Sequence, residues 1–112
     1  MDDLPIIQKT YDLVKWYVPI LNRLPRNHKF LLSDRITTNL YEILETLILA
    51  RYASSKLPQL ELVNSKLEIL RMQTRLVYDF SLINSTRYQY IQKLINEIGV
   101  DLGGWMKQQM RK

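Results

Sequence analysis

The chain has 112 residues, 46% of them hydrophobic, and no cysteine, which bounds it to one globular domain and excludes disulfide frameworks and cysteine-ligated zinc. Its start, Met-Asp-Asp-Leu-Pro, is acidic where a secretory signal needs positive charge. The most apolar stretch, Ile43 to Ala50, contains Glu45 and Thr46 and is too short to span a bilayer, so a soluble cytoplasmic protein with no membrane partner is expected.

All three glycines lie within 99–104, and the four prolines stand at 5, 19, 25 and 58. So little punctuation argues against a turn-rich β protein, and the apolar spacing predicts helices throughout. The first spans about 5–24, with Pro5 in its first turn, Asp3 as cap, and Ile7, Tyr11, Val14, Val18 and Leu21 as its inward stripe. Pro19 lies inside it and predicts a kink or local break. The second, about 29–53, turns Leu40, Ile43, Leu44, Leu47 and Ile48 inward.

The third helix, about 58–82, opens on Pro58 and carries two apolar stripes. Leu60, Val63, Leu67, Leu70, Thr74 and Val77 form one, and Leu62, Ile69, Met72, Leu76 and Phe80 form the other. Two apolar flanks need two burial partners: the chain's own core and a further surface such as a neighbouring subunit. Asn84-Ser85 caps the fourth helix, about 86–109, with Tyr88, Ile91, Ile95, Ile98, Leu102 and Trp105 inward. Gly99 and Gly103, four apart, predict a close helix approach or a bend. Short connections make the expected fold all-α, an antiparallel up-down-up-down four-helix bundle forming a single domain over 1–112.

No constellation for catalysis is visible. His28 is the only histidine and sits in a basic loop, and none of Glu42, Glu45, Glu61 and Glu68 has a His three residues on, as a bundle di-iron site requires. No enzyme activity, cofactor, metal or small-molecule substrate is therefore expected. The net charge of +5 is clustered instead. Arg23, Arg26, Lys29 and Arg35 face only Asp34 in the first connection, Arg71, Arg75, Arg87 and Lys93 face only Asp79, and Lys107, Arg111 and Lys112 close the chain. Clustered cations point to a polyanion such as RNA or DNA, or to an acidic protein face. Arg71 and Arg75, at i and i+4, share a helix face on which Asp79 also falls, so an internal ion pair competes with a binding role.

Three segments carry a resemblance: Leu24-Pro-Arg-Asn-His28, Leu70-Arg-Met-Gln-Thr-Arg75, and Glu97-Ile-Gly-Val-Asp-Leu-Gly-Gly-Trp105. Their order and spacing resemble the accessory variability determinant (Avd) family of diversity-generating retroelements, which is related to four-helix-bundle proteins encoded within intervening sequences of 23S rRNA genes. The resemblance implies a homopentameric barrel that uses Leu62, Ile69, Met72, Leu76 and Phe80 as the oligomer interface. It also implies a non-enzymatic partner of a reverse transcriptase that binds RNA or DNA during mutagenic retrohoming. By motif, Arg26 and His28 match the interhelical basic segment, and Arg71 and Arg75 match paired arginines on the third helix. The expected binding set is Arg23, Arg26, His28, Lys29, Arg35, Arg71, Arg75, Lys107 and Arg111; an intervening-sequence-type structural or RNA-binding oligomer is the alternative.

Overall fold

Pro5 and Pro58 each occupy the first turn of a helix, where the N–H that proline lacks would have no intrahelical partner anyway. In the computed structural model, which describes residues 4–111 apart from the side chains of 28–30, they open two of four long helices. These are α1 (Pro5–Asn22), α2 (Asp34–Tyr52), α3 (Leu57–Asp79) and α4 (Ser85–Met110), with no strand among the described residues. Each helix packs on its neighbours in ring order, and α4 closes back onto α1. The contacts that join them run antiparallel: Lys9 meets Asp101 while Trp16 meets Tyr90, and Arg71 lies by Gly99 while Tyr78 stacks on Tyr88. Overall extents of 46 × 24 × 23 Å fit four helices in a two-by-two array.

The core is almost pure hydrocarbon. Leu60, Val63, Leu67, Leu70, Thr74 and Val77 of α3 are all buried, as their stripe predicts, and Ile91, Ile95, Ile98 and Leu102 of α4 meet them. Removing each such Leu or Ile side chain from water contributes about 1.5–3 kcal/mol. Tyr88 and Trp105 are only partly buried against this core. The inward faces of α1 and α2 differ from the predicted ones at their edges. Tyr11 is 52% exposed, Ile48 is also exposed, and Val18 and Leu44 are partly buried. The buried face of α1 keeps the predicted Ile7, Val14 and Leu21 and is widened by Ile6, Thr10, Leu13, Tyr17 and Ile20.

Several boundaries depart from expectation for local reasons. Asp3 lies outside the described residues, and Leu4 precedes α1 without a side-chain cap. Pro19 does not break α1, because it falls in the last turn, where little helix remains to disrupt. The chain then tightens through Arg23 N–H to Ile20 O (3.1 Å) and Leu24 N–H to Leu21 O (3.2 Å). The second helix does not start at residue 29: a short turn, Arg26–His28, leads into a π-helical stretch, Lys29–Ser33, before α2 begins. Ser33 is buried there and donates its hydroxyl proton to Leu21 O (3.0 Å), so it ties the wide turn to α1 instead of capping α2. At the far end of α2, the Lys56 ammonium donates to the carbonyls of Ala50, Arg51 and Ala53 and satisfies the exposed end of the helix.

α3 ends at Asp79, three residues short of the predicted 82. Ser81 adopts φ 60°, its N–H bonds to Tyr78 O and the Leu82 N–H bonds to Val77 O, which is a Schellman termination. Glycine is the usual residue at that left-handed position, so serine there is strained. Asn84 then caps α4 by accepting the Arg87 N–H at 2.8 Å. Replacing Ser81→Gly should stabilise the protein by about 0.5–1 kcal/mol, read as a higher thermal midpoint. An unchanged or lower midpoint would show that the turn holds serine without strain.

Tyr17 and Thr74 share a hydrogen bond of 3.0 Å across the middle of the bundle, from α1 to the diagonally opposite α3. Burial pushes the Tyr17 hydroxyl up to about 12, with the Thr74 bond acting weakly the other way. The folded state thus holds this proton more tightly than the unfolded chain does. Tyr17's contribution is complete below pH 10 and is lost as pH rises from about 10 to about 12. Tyr17→Phe should cost about 1 kcal/mol at neutral pH. The difference in stability between the two proteins should shrink over that alkaline window in urea titrations; a constant difference would sink the assignment.

Candidate functional site

Among the described residues the surface depressions assemble no catalytic set. The one of about 520 Å³ between α1 and α4 is lined mainly by Leu4, Pro5, Ile6, Val100 and Trp105. Its single acid, Asp101, has Oδ2 out of solvent, held by the Lys9 ammonium at 2.9 Å as a charge contact without an aligned hydrogen bond. No group of three His, Cys, Asp or Glu residues among those described is placed to hold a metal ion. No helix among them is long and apolar enough to cross a membrane.

The nine residues expected to bind partners do not form one surface. Antiparallel topology puts Arg23, Arg26 and Arg35 at the end of the bundle where α1 finishes and α2 begins, and all three are exposed. The side chains of His28 and Lys29, in the same connection, lie outside the described residues. Lys107 and Arg111 are exposed at the opposite end, around the C-terminus of α4. Cations there suit the helix dipole without any partner.

Arg71 and Arg75 lie between these ends on α3, and each has an acid on its own helix. Arg71 is partly buried and paired with Glu68, while Arg75 Nε lies 3.7 Å from Asp79. Arg71 also reaches α4, where a Cβ on Gly99 would stand 2.8 Å from its Nη2. The close approach read from the glycines therefore exists at Gly99, though what approaches is a guanidinium rather than a helix backbone. A Cβ on Gly103 would meet nothing within 4 Å, so no such approach occurs there.

Two features escape a reading of the sequence alone. Arg87 stands in the first turn of α4, at the same end as Arg23, Arg26 and Arg35. Among the described residues these four arginines have no hydrogen bond, ion pair or ring contact from their side chains, unlike Arg71 and Arg75. Toward the same end, on the α1–α4 side, Trp16 and Tyr90 meet edge to face, 4.8 Å between centroids at 67°. The charge cluster at 71–93 is visible in the sequence, but only the antiparallel turn brings its Arg87 beside the first connection.

The second stripe of α3 is exposed along its whole length: Leu62, Ile69, Met72, Leu76 and Phe80 are 44–61% accessible. It runs on the α2 side of α3, where Ile69 shares a groove with Arg35, Thr38 and Glu42. Arg71 reaches toward α4 instead. The two features of α3 thus occupy different shoulders of one helix.

Gly99→Ala should keep the thermal midpoint or raise it slightly, since alanine favours helix by roughly 1 kcal/mol and the guanidinium is a flexible end that can yield. It should also displace Arg71 from α4, seen as shifted Arg71 side-chain NMR signals. A fall of several degrees would show that the Arg71 pose is structural.

No curated protein matches the sequence. A family model does, over residues 4–109, which takes in all four helices, the first connection and each of the three segments that carry the resemblance. The chain belongs to the bAvd-like family.

Proposed function

We propose that the protein is a non-catalytic accessory subunit of a diversity-generating retroelement. It binds the reverse transcriptase and RNA or DNA through its basic surface and supports mutagenic retrohoming in the cytoplasm. The observation that carries this reading is the family match along almost the whole chain. The exposed second stripe of α3 supports the accompanying assembly, a homopentamer, because five exposed large apolar side chains along one flank are unusual for a surface that stays in water. Five copies at +5 each would carry about +25, a far stronger field toward a polyanion than one copy has.

The purified protein should co-elute with the reverse transcriptase of a diversity-generating retroelement. Its nucleic-acid affinity should fall steeply with salt, by a log–log slope of about 0.7 per phosphate engaged on a single strand. No co-elution together with a flat salt dependence would leave a structural oligomer of the intervening-sequence type. Ile69→Lys with Leu76→Lys should convert the oligomer to monomers of unchanged helicity in sedimentation. A mass that stays put would move the interface off α3.

A further inference from the structure

Charged groups on a folded surface divide into those that are neutralised internally and those that are left to solvent. On α3 each arginine has a carboxylate beside it: Arg71 pairs with Glu68, and Arg75 lies 3.7 Å from Asp79, so an incoming phosphate meets negative charge already in place. At the bundle end formed by the α1–α2 connection and the start of α4, Arg23, Arg26, Arg35 and Arg87 are exposed and bonded to none of the described residues. Arg87 is informative for a second reason. It sits three residues after the cap Asn84, in a first turn that contains no acid. A cation at a helix N-terminus opposes the dipole, so the position is mildly unfavourable for folding; Arg87 shares a surface depression with Asp79 but makes no ion pair with it, and a bound anion would offset the cost.

The same end carries an aromatic platform. Tyr90 follows Arg87 by three residues, about 4.5 Å along the axis, and Arg23 stands just past the end of the helix that carries Trp16. Trp16 supports the Tyr90 ring at its edge, and Tyr90 remains 44% exposed. Guanidiniums that take phosphates, beside a braced ring that can take a base, are the components of a single-strand site. A duplex offers the phosphates but keeps its bases stacked on one another.

We infer that this end of the bundle, with Arg23, Arg26 and Arg87 as phosphate contacts and Tyr90 braced by Trp16 as a base-stacking platform, is the surface that engages single-stranded nucleic acid; Arg35 lies apart, in the α2–α3 groove. The inference rests on the proposed nucleic-acid role and assigns it to particular residues. The Arg71–Arg75 shoulder and the Lys107–Arg111 end are left out of that contact.

The test is fluorescence anisotropy on the full chain with labelled RNA and DNA single strands of one sequence and with the matching RNA duplex. Arg23→Glu with Arg87→Glu should weaken single-strand binding about tenfold or more and reduce the salt slope by about 1.4, the loss of two phosphate contacts. Tyr90→Leu, which keeps an apolar side chain against Trp16, should weaken single strands about tenfold with an unchanged salt slope and leave the duplex unaffected. Arg71→Glu with Arg75→Glu should change affinity less than threefold. Unequal losses on RNA and DNA would identify which strand the platform serves, and either supports it. If Arg23→Glu with Arg87→Glu binds like the wild type while the α3 pair abolishes binding, this assignment is overturned and the nucleic-acid role stands. Equal loss of single strands and duplex on Tyr90→Leu would remove the stacking platform. A wild-type protein that binds no strand at all would overturn both.

Discussion

A core of leucine, isoleucine and valine brings four amphipathic helices together but says little about how far each slides along its neighbours. The few buried polar groups supply that information. The Tyr17–Thr74 hydrogen bond joins diagonal helices in a place where neither hydroxyl can find water, so a shift of one turn would leave both unpaired. Asn39 does the same between α2 and α3, its amide donating to Lys66 O and to the Gln73 side chain. Ser33 fixes the first connection to the end of α1. With three such attachments the register is set. The positions of Arg23, Arg35 and Arg87 relative to one another follow from it.

That register has a consequence for how surface and charge are shared out. α3 is inward on one stripe, apolar and exposed on a second, and charged on a third. Such a helix separates tasks by angle around its axis, whereas the arginines are separated by height along it. Apolar contact with another protein and electrostatic contact with a polyanion therefore need not compete for one patch. This separation suits a subunit proposed to hold a protein partner and a nucleic acid together.

Much of this is legible in the sequence, and the departures have particular causes. The inward stripe of α3 can be read residue by residue because 23 residues of uninterrupted helix give its period time to show. The stripe of α1 is ambiguous at its edge: Tyr11 and Tyr17 are both spaced to fit an apolar stripe, and only Tyr17 has a buried hydroxyl partner, on a helix 57 residues away in the chain. The end of α3 comes earlier than its pattern suggests because its left-handed residue is Ser81, so the glycine that normally marks such an ending is missing. The start of α2 comes later because a π-helical stretch keeps the composition of a helix while losing its phase. Among candidate site residues, the exposure of Arg23, Arg26, Arg35, Arg75, Lys107 and Arg111 follows from charge, while Arg71 is partly buried. Which arginines are paired does not follow from charge, because Arg75 with Asp79 is one reading among several and Arg71 with Glu68 depends on a rotamer that Gly99 leaves room for.

The elongated shape, 46 Å long and about 24 Å across, gives an end-on contact a geometric meaning of its own. A ligand held along the flank of the bundle would occupy its length, but one held at the tip spans only its cross-section. Copies binding the same strand through their tips would stand side by side like bristles, spaced by their width, with their long flanks facing one another. The apolar stripe of α3 lies on one of those flanks. Occupancy of a strand would then raise the local concentration of the surfaces through which the proposed pentamer closes.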